Sequence, residues 1–177
     1  YRALRLSKAK EGEVLGLYGF GASAHVAIQV ALHWGCKVFV FTRGKEHQDL
    51  ARKLGAFWVG HPKEKPPEKL NSAIIFAPVG SLVLDALEAL HKGGTLALAG
   101  IYMSPIPEMD YVRHLYHEKT IQSVANSTRM DGKELLALAA EIPIHTEIQR
   151  FSLQQANDAR LALKTGKING AGVLEIH

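Results

Sequence analysis

The chain has 177 residues, of which 47% are hydrophobic and 21% are charged. This composition predicts one globular domain and excludes a disordered, collagen-like or coiled-coil protein. Lysine and arginine number 21 against 17 aspartate and glutamate residues, which gives a formal net charge of +4. Such an excess favours a small anionic ligand but is too weak to indicate nucleic-acid binding.

Short apolar runs alternate with helical patterns, and glycines separate them, which is typical of a parallel sheet with helices on both faces. The patterns predict strands over residues 14–18, 37–42, 57–59, 73–77, 95–99 and 121–124, and helices over residues 22–33, 45–53 and 81–90. The proline- and lysine-rich residues 61–69 are predicted to form a loop. A C-terminal segment follows, with helices over residues 131–140 and 154–164, an extended piece near residue 148 and a strand over residues 173–176.

These elements predict a doubly wound α/β fold, the Rossmann fold, with a short C-terminal extension. The first domain is predicted to cover residues 1–124, and the C-terminal segment residues 125–177. The uncharged residues 14–36 are interrupted by glycines and polar side chains, so we predict no membrane span. Cys36 is the single cysteine, which predicts a reducing compartment, the cytoplasm. Because the sequence begins with Tyr1, we expect it to be a segment of a longer protein.

A glycine-rich turn joins the first predicted strand to the first predicted helix. Its sequence, Gly19-Phe20-Gly21-Ala22-Ser23-Ala24, fits the dinucleotide fingerprint G-x-G-x-x-G/A. Gly19 permits a tight turn, Gly21 lets a pyrophosphate approach the backbone, and the amides of Ala22 and Ser23 would point at the phosphates. The turn therefore predicts a dinucleotide site, the alternative being a turn that only packs the strand against the helix.

The end of the second predicted strand indicates which dinucleotide is bound. An NAD site carries an aspartate or glutamate there, whereas this strand ends in Thr42-Arg43, with Lys45 close behind. A hydroxyl, a guanidinium and an ammonium group suit the 2'-phosphate of NADP(H), which a carboxylate would repel. We therefore predict NADP(H) over NAD(H), the alternative being that Arg43 and Lys45 form an ordinary solvated turn.

Other nucleotide and metal motifs are not supported by the sequence. The three Gly-Lys pairs are followed by Glu46, Glu134 and Ile168, which excludes a P-loop. No tyrosine has a lysine four residues later, which excludes the Tyr-x-x-x-Lys pair of the short-chain dehydrogenases. His114 and His117 have apolar and aromatic neighbours that favour a packed helix over a metal site. We predict no catalytic and no metal-binding residue within this chain.

Several segments together resemble the zinc-type alcohol dehydrogenases of the medium-chain dehydrogenase/reductase superfamily, in their nucleotide-binding and C-terminal part. The resemblance covers nearly the whole chain. The segments are Tyr1-Arg2-Ala3-Leu4, the glycine turn preceded by Gly16, Phe76-Ala77-Pro78-Val79-Gly80, Gly93-Gly94 leading to Ala99-Gly100-Ile101, Ser123-Val124-Ala125-Asn126 with Thr128-Arg129, and Ala156-Asn157-Asp158-Ala159 before Lys164-Thr165-Gly166-Lys167-Ile168.

The resemblance implies roles for individual residues. Thr42 occupies the position that discriminates the two cofactors, and backbone groups near Ala77 and Gly100 would flank the ribose and nicotinamide. The full set of predicted cofactor-binding residues is Gly16, Gly19, Phe20, Gly21, Ala22, Ser23, Thr42, Arg43, Lys45, Ala77, Pro78, Gly100 and Ile101.

The resemblance also implies an activity, hydride transfer between NADP(H) and an alcohol, aldehyde or ketone. Family members hold a catalytic zinc with Cys and His ligands of an N-terminal domain, so the zinc ligands are expected outside this chain. We expect the chain alone to bind NADP(H) without turnover, and we expect a homodimer. Two alternatives stay open: a zinc-free quinone-reductase-like relative and a non-enzymatic nucleotide-binding module.

Overall fold

The computed structural model describes residues 1–176. Six parallel strands form the main sheet, in the order β3-β2-β1-β4-β5-β6. They are β1 (Val14–Tyr18), β2 (Lys37–Phe41), β3 (Trp58–Gly60), β4 (Leu70–Ile75), β5 (Leu90–Leu98) and β6 (Thr120–Ser123). The chain winds outward from β1 to β3 and then crosses back to β4 beside β1, which confirms the predicted doubly wound α/β fold.

Helices cover this sheet, and a second, two-stranded parallel sheet forms near the C-terminus. The helices are α1 (Arg2–Ser7), α2 (Ala22–His33), α3 (Lys45–Lys53), α4 (Leu82–Ala89), α5 (Tyr111–His114), α6 (Arg129–Glu141) and α7 (Ala156–Lys164). The small sheet pairs β7 (Ile148–Ser152) with β8 (Ala171–Glu175). None of the helices in residues 1–176 is long and apolar enough to cross a membrane.

The main sheet has a hydrophobic core on each face, because side chains alternate along every strand. In β1, Leu15 and Leu17 belong to a core that also contains the apolar sides of α1, α2 and α3. Val14 and Tyr18 belong to the opposite core, which α4 covers. The strands are therefore buried on both faces, as the apolar runs predict.

Some elements differ from the sequence-based prediction for reasons of packing. β4 begins at Leu70 rather than residue 73, because Leu70 is fully buried and pairs with Leu90 at the start of β5. β2 ends at Phe41, yet the Thr42 amide continues the pairing by donating to the Gly60 carbonyl at 2.9 Å. The sequence patterns do not predict α1, whose Leu4 is fully buried in the first core.

Residues 61–69 connect β3 to β4 without a helix, as predicted. The usual connection between parallel strands is a helix that covers one face of the sheet. In its place, the loop borders a cavity of about 620 Å³, which Tyr18 and the α4 residues Asp85 and Glu88 also line. Burial raises the pKa of the Tyr18 hydroxyl, and the nearby Asp85 carboxylate adds to this shift.

The C-terminal segment is anchored to the rest of the chain by α6. Leu135 and Leu138 pack against the first core, and an Arg5–Glu134 ion pair joins α1 to α6. By contrast, the small sheet leaves apolar side chains open to solvent, such as Leu174 with 41% exposure. The proposed boundary between residues 124 and 125 stays a prediction.

Candidate nucleotide-binding site

The carboxyl ends of β1, β4 and β5 meet at one edge of the main sheet. The amides of Phe76 and Ala77, just beyond β4, both donate to the Tyr18 carbonyl, at 2.9 and 3.2 Å. The Ala99 amide, just beyond β5, donates to the Ile75 carbonyl at 2.8 Å. The segments that leave these strands therefore lie side by side at the point where the strand order reverses, which is where open α/β sheets bind ligands.

The turn after β1 requires glycine at residue 19. Gly19 has a φ of +87°, which residues other than glycine rarely adopt. Its amide donates to the Phe41 carbonyl at 2.9 Å, which ties the turn to the end of β2. A Cβ at this position would lie 3.0 Å from the Cβ of Ala77. The predicted role of Gly19 in a tight turn agrees with this geometry.

Gly21 is a glycine that the protein's own packing does not explain. Its φ of −114° and ψ of −154° are open to any residue. A Cβ added to Gly21 would meet no atom of the described residues within 4 Å. The backbone at Gly21 thus borders open space, and a side chain would occupy the volume that a close ligand needs.

Gly21 is also the N-cap of α2, and the first turn of this helix presents backbone donors. No side chain in the described part of the chain caps the helix, and its first turn carries no acidic residue. Ala22 and Ser23 are exposed, whereas Ala24 is fully buried against the sheet. Uncapped amides and the positive end of the helix dipole together form an anion-binding geometry.

The residues after β2 form the basic side of the site. Thr42 is buried, and its carbonyl accepts a hydrogen bond from Gln48 Nε2 at 2.9 Å. Arg43 and Lys45 are exposed on either side of Gly44, which is the N-cap of α3. Neither cation forms an ion pair within residues 1–176. Both charges are therefore open to an anionic ligand.

The loops after β4 and β5 form the side of the candidate site that lies opposite the basic residues. A Cβ on Gly100 would lie 3.0 Å from the Ala77 carbonyl oxygen and 3.2 Å from the Cα of Pro78. Ile101 follows with 73% exposure. The structure thus brings Ala77, Pro78 and Gly100 into contact beside the glycine turn.

Two predicted site residues, Gly16 and Phe20, pack into the core of the protein. Gly16 is in the middle of β1, where a Cβ would lie 2.5 Å from Leu70 Cδ1 and 3.4 Å from the Phe41 ring. Core packing therefore explains this glycine. The side chain of Phe20 is buried in the first core, so only its backbone can face a ligand.

Sequence reasoning missed two residues that position the site. The first is Gln48, which holds the backbone at Thr42. The second is Ser104, whose Oγ accepts a hydrogen bond from the Gly80 amide at 2.9 Å and thereby holds the loop after β4. Any larger residue at position 80 would clash, because a Cβ on Gly80 would lie 2.3 Å from the Pro105 carbonyl oxygen. The cluster Ser104-Pro105-Ile106-Pro107 signals a rigid loop but not its partner.

The residues present do not fit a zinc site. His114 ends α5, and its Nδ1 lies 2.9 Å from the Asp110 carbonyl oxygen while its Nε2 lies 3.1 Å from Glu88 Oε1. His117 lies beyond the end of this helix. Within the described residues, no group of three or more His, Cys, Asp or Glu side chains could hold a metal ion.

The strand order and the cleft define an α/β domain of the Rossmann type. Residues 24–141 match the family described as zinc-binding dehydrogenase. The chain belongs to this family, and with it to the zinc-type alcohol dehydrogenases whose C-terminal half it resembles.

Individual relatives agree with this assignment. A probable alcohol dehydrogenase, AdhA, of Mycobacterium tuberculosis is 46% identical over 176 residues, which cover 99% of this chain and 51% of the relative. The solved CAD of Helicobacter pylori, complexed with NADP(H), has a TM-score of 0.84 at 23% identity, over 97% of this chain and 50% of that one. Acetophenone reductase of Geotrichum candidum, in complex with NAD, has a TM-score of 0.88 at 19% identity, over 98% of this chain and 51% of that one. The chain thus spans about half the length of these relatives.

Proposed function

We propose that this chain is the cofactor-binding half of an alcohol dehydrogenase-like oxidoreductase and that it binds NADP(H) in the cleft between Gly19 and Gly100. The observation that carries the proposal is the open space at Gly21 beside the uncapped start of α2. A pyrophosphate placed there would accept hydrogen bonds from the first-turn amides. The residues present therefore fit the cofactor.

The preference for NADP(H) rests on the residues after β2. Among proteins with this fold, the Helicobacter pylori CAD was solved with NADP(H) and the Geotrichum candidum reductase with NAD, so the fold alone does not select a cofactor. Thr42 is followed by two exposed cations, Arg43 and Lys45, that have no acidic partner among residues 1–176. Charge-assisted hydrogen bonds from these groups would hold a 2'-phosphate.

The proposed reaction is hydride transfer between the nicotinamide of NADP(H) and an alcohol, aldehyde or ketone. In this chain, the backbone near Ala77, Pro78 and Gly100 would orient the nicotinamide riboside. Zinc, which polarises the substrate oxygen in zinc-dependent dehydrogenases, would be held by residues outside this chain. We therefore propose that the chain alone binds cofactor without turnover.

We also propose that the protein is a cytoplasmic homodimer. Burial raises the pKa of the Cys36 thiol, as expected for a packed cysteine that stays reduced. The edge strand β6 offers backbone groups for pairing with a second copy. Sedimentation equilibrium should then give about twice the chain mass of 19.4 kDa.

Calorimetric titration of the chain with NADPH, and with NADH in parallel, tests the proposal. We expect NADPH to bind at least about tenfold more tightly than NADH, because charged hydrogen bonds to the 2'-phosphate are worth roughly 1.5–3 kcal/mol. Equal affinities would overturn the NADP(H) preference but retain the site. If neither cofactor bound, the proposed site in this chain would be wrong.

A further inference from the structure

A second cavity, of about 420 Å³, lies at the opposite edge of the main sheet from the candidate nucleotide site. It is bordered by residues at the amino ends of three strands: Lys69 precedes β4, Leu90 begins β5, and Lys119 precedes β6. The nucleotide cleft lies at the carboxyl ends of the strands, and the two ends of β4 are about 16 Å apart, since a strand rises about 3.3 Å per residue. The cavity is therefore a separate site.

The lining of this basic cavity is strongly positive. Six of its residues are basic, namely Lys69, His91, Lys92, Arg113, His117 and Lys119. Glu88 is its single carboxylate. The three lysines and the arginine face one carboxylate, so the formal charge of the lining is positive even with neutral histidines.

The one carboxylate is already engaged. Glu88 Oε2 accepts a hydrogen bond from Arg113 Nη2 at 2.9 Å, and Glu88 Oε1 lies 3.1 Å from His114 Nε2. The three lysines that line the cavity therefore form no ion pair with this carboxylate.

Helix α4 holds two of these lysines close together. Lys69 Nζ donates to the Glu88 carbonyl and Lys119 Nζ donates to the Leu87 carbonyl, both in the last turn of α4. Carbonyls at a helix end attract cations, and an ammonium group retains further N–H donors after one such bond. Burial lowers the pKa of Lys119 and the neighbouring Lys69 adds to this shift, while the Glu88 carboxylate opposes it in part. The crowding of like charge is what a bound anion would relieve.

We propose that the basic cavity binds a small phosphorylated anion. Lysine, arginine and histidine donors in a recess of this size suit phosphate oxygens, and ligand sites commonly have volumes of about 300–1,000 Å³. The site does not depend on the proposed cofactor function.

The test is a titration of the ¹⁵N-labelled chain with inorganic pyrophosphate, followed by amide chemical shifts in NMR, with and without excess NADPH. We expect localised shifts at the amides of the lining residues His91, Lys92 and Lys119 that persist in the presence of NADPH. A parallel titration with glycerol 3-phosphate distinguishes a site for one phosphate, where both probes produce these shifts, from a site for a diphosphate, where only pyrophosphate does.

Variants make the test specific. Lys92 is exposed, so Lys92→Gln removes a cavity charge without removing either lysine that binds the end of α4. Combined with Lys119→Gln, it should weaken pyrophosphate binding at least about tenfold, and Lys92→Gln alone should weaken it by a smaller factor in a chain of unchanged melting temperature. Lys133→Gln, an exposed lysine on α6, is the matched control and should leave binding unchanged. Shifts confined to the Gly21, Ala22 and Ser23 amides, or an affinity that does not respond to Lys92→Gln, would overturn the proposal.

Discussion

Gly19 lies directly against Ala77: a Cβ on Gly19 would lie 3.0 Å from both the Cβ and the backbone nitrogen of Ala77. The two residues follow β1 and β4, the neighbouring strands between which the winding direction changes. Gly19 also has a positive φ. A side chain at this turn would therefore meet backbone strain and a steric contact together.

The substitution Gly19→Ala is expected to lower the free energy of unfolding by about 1–3 kcal/mol, because a non-glycine residue would be forced into the left-handed region. Urea unfolding followed by circular dichroism measures this change through the midpoint. A midpoint equal to that of the original chain would show that the turn relaxes without cost.

Gly21→Ala is expected to weaken NADPH binding and to leave the stability of the chain nearly unchanged. Because a Cβ at Gly21 meets no described atom within 4 Å, the free energy of unfolding should change by less than about 0.5 kcal/mol. The affinity for NADPH should fall at least about tenfold, since the methyl group would occupy the space of the pyrophosphate.

Gly132→Ala is the matched control, because a Cβ at this α6 glycine also meets no described atom within 4 Å. Calorimetry should give an unchanged NADPH affinity for this variant. A Gly21→Ala chain that binds NADPH as tightly as the original would contradict the proposed position of the pyrophosphate.

Arg43→Gln is expected to weaken NADPH binding about tenfold, through loss of a charged hydrogen bond to the 2'-phosphate, and to leave NADH binding nearly unchanged. The exposed Lys133 provides the control variant Lys133→Gln, which removes the same charge at a distant position. Parallel titrations with both cofactors measure the difference. An equal loss of affinity for NADPH and NADH would mean that Arg43 does not discriminate between them.

Asp131 is predicted to make stability depend on pH. Its Oδ2 accepts hydrogen bonds from the Thr128 hydroxyl at 2.6 Å and from the Thr128 amide at 2.7 Å, in a capping box at the start of α6. These bonds, helped by the nearby Arg2, hold the pKa of Asp131 below its ordinary value. The stabilisation is therefore present above the unfolded-state pKa and is lost as the pH falls through the lower, folded-state pKa.

Asp131→Asn should consequently lower the melting temperature at neutral pH and have a smaller effect once the pH falls through the lowered, folded-state pKa, where the original carboxylate is also becoming protonated. Thermal melts at a series of pH values measure the difference. Asp158→Asn, at an exposed site on α7, serves as the control. A difference between Asp131→Asn and the original chain that stayed constant with pH would disprove the titration of Asp131 as the cause.

The parts of the site that depend on local chain geometry could be predicted from the sequence. The turn at Gly19, the small residue Ala24 against the sheet and the cations Arg43 and Lys45 all follow from short motifs at the ends of strands. The prediction for Gly16 illustrates the limit. The glycine matches a family motif, but its neighbour Leu70 is 54 positions away in the sequence and shows that the glycine serves core packing.

Local sequence patterns suffice to predict the alternation of strands and helices, the parallel sheet and the position of the glycine turn, because hydrophobic periodicity and backbone preference act over a few residues. The folded chain was needed to see that α1 packs into the first core, that Ser104 holds Gly80, and that lysines from three separate segments share the basic cavity around the end of α4. These contacts join residues far apart in the chain. Their formation depends on how the sheet twists and how the helices dock, which no local pattern encodes.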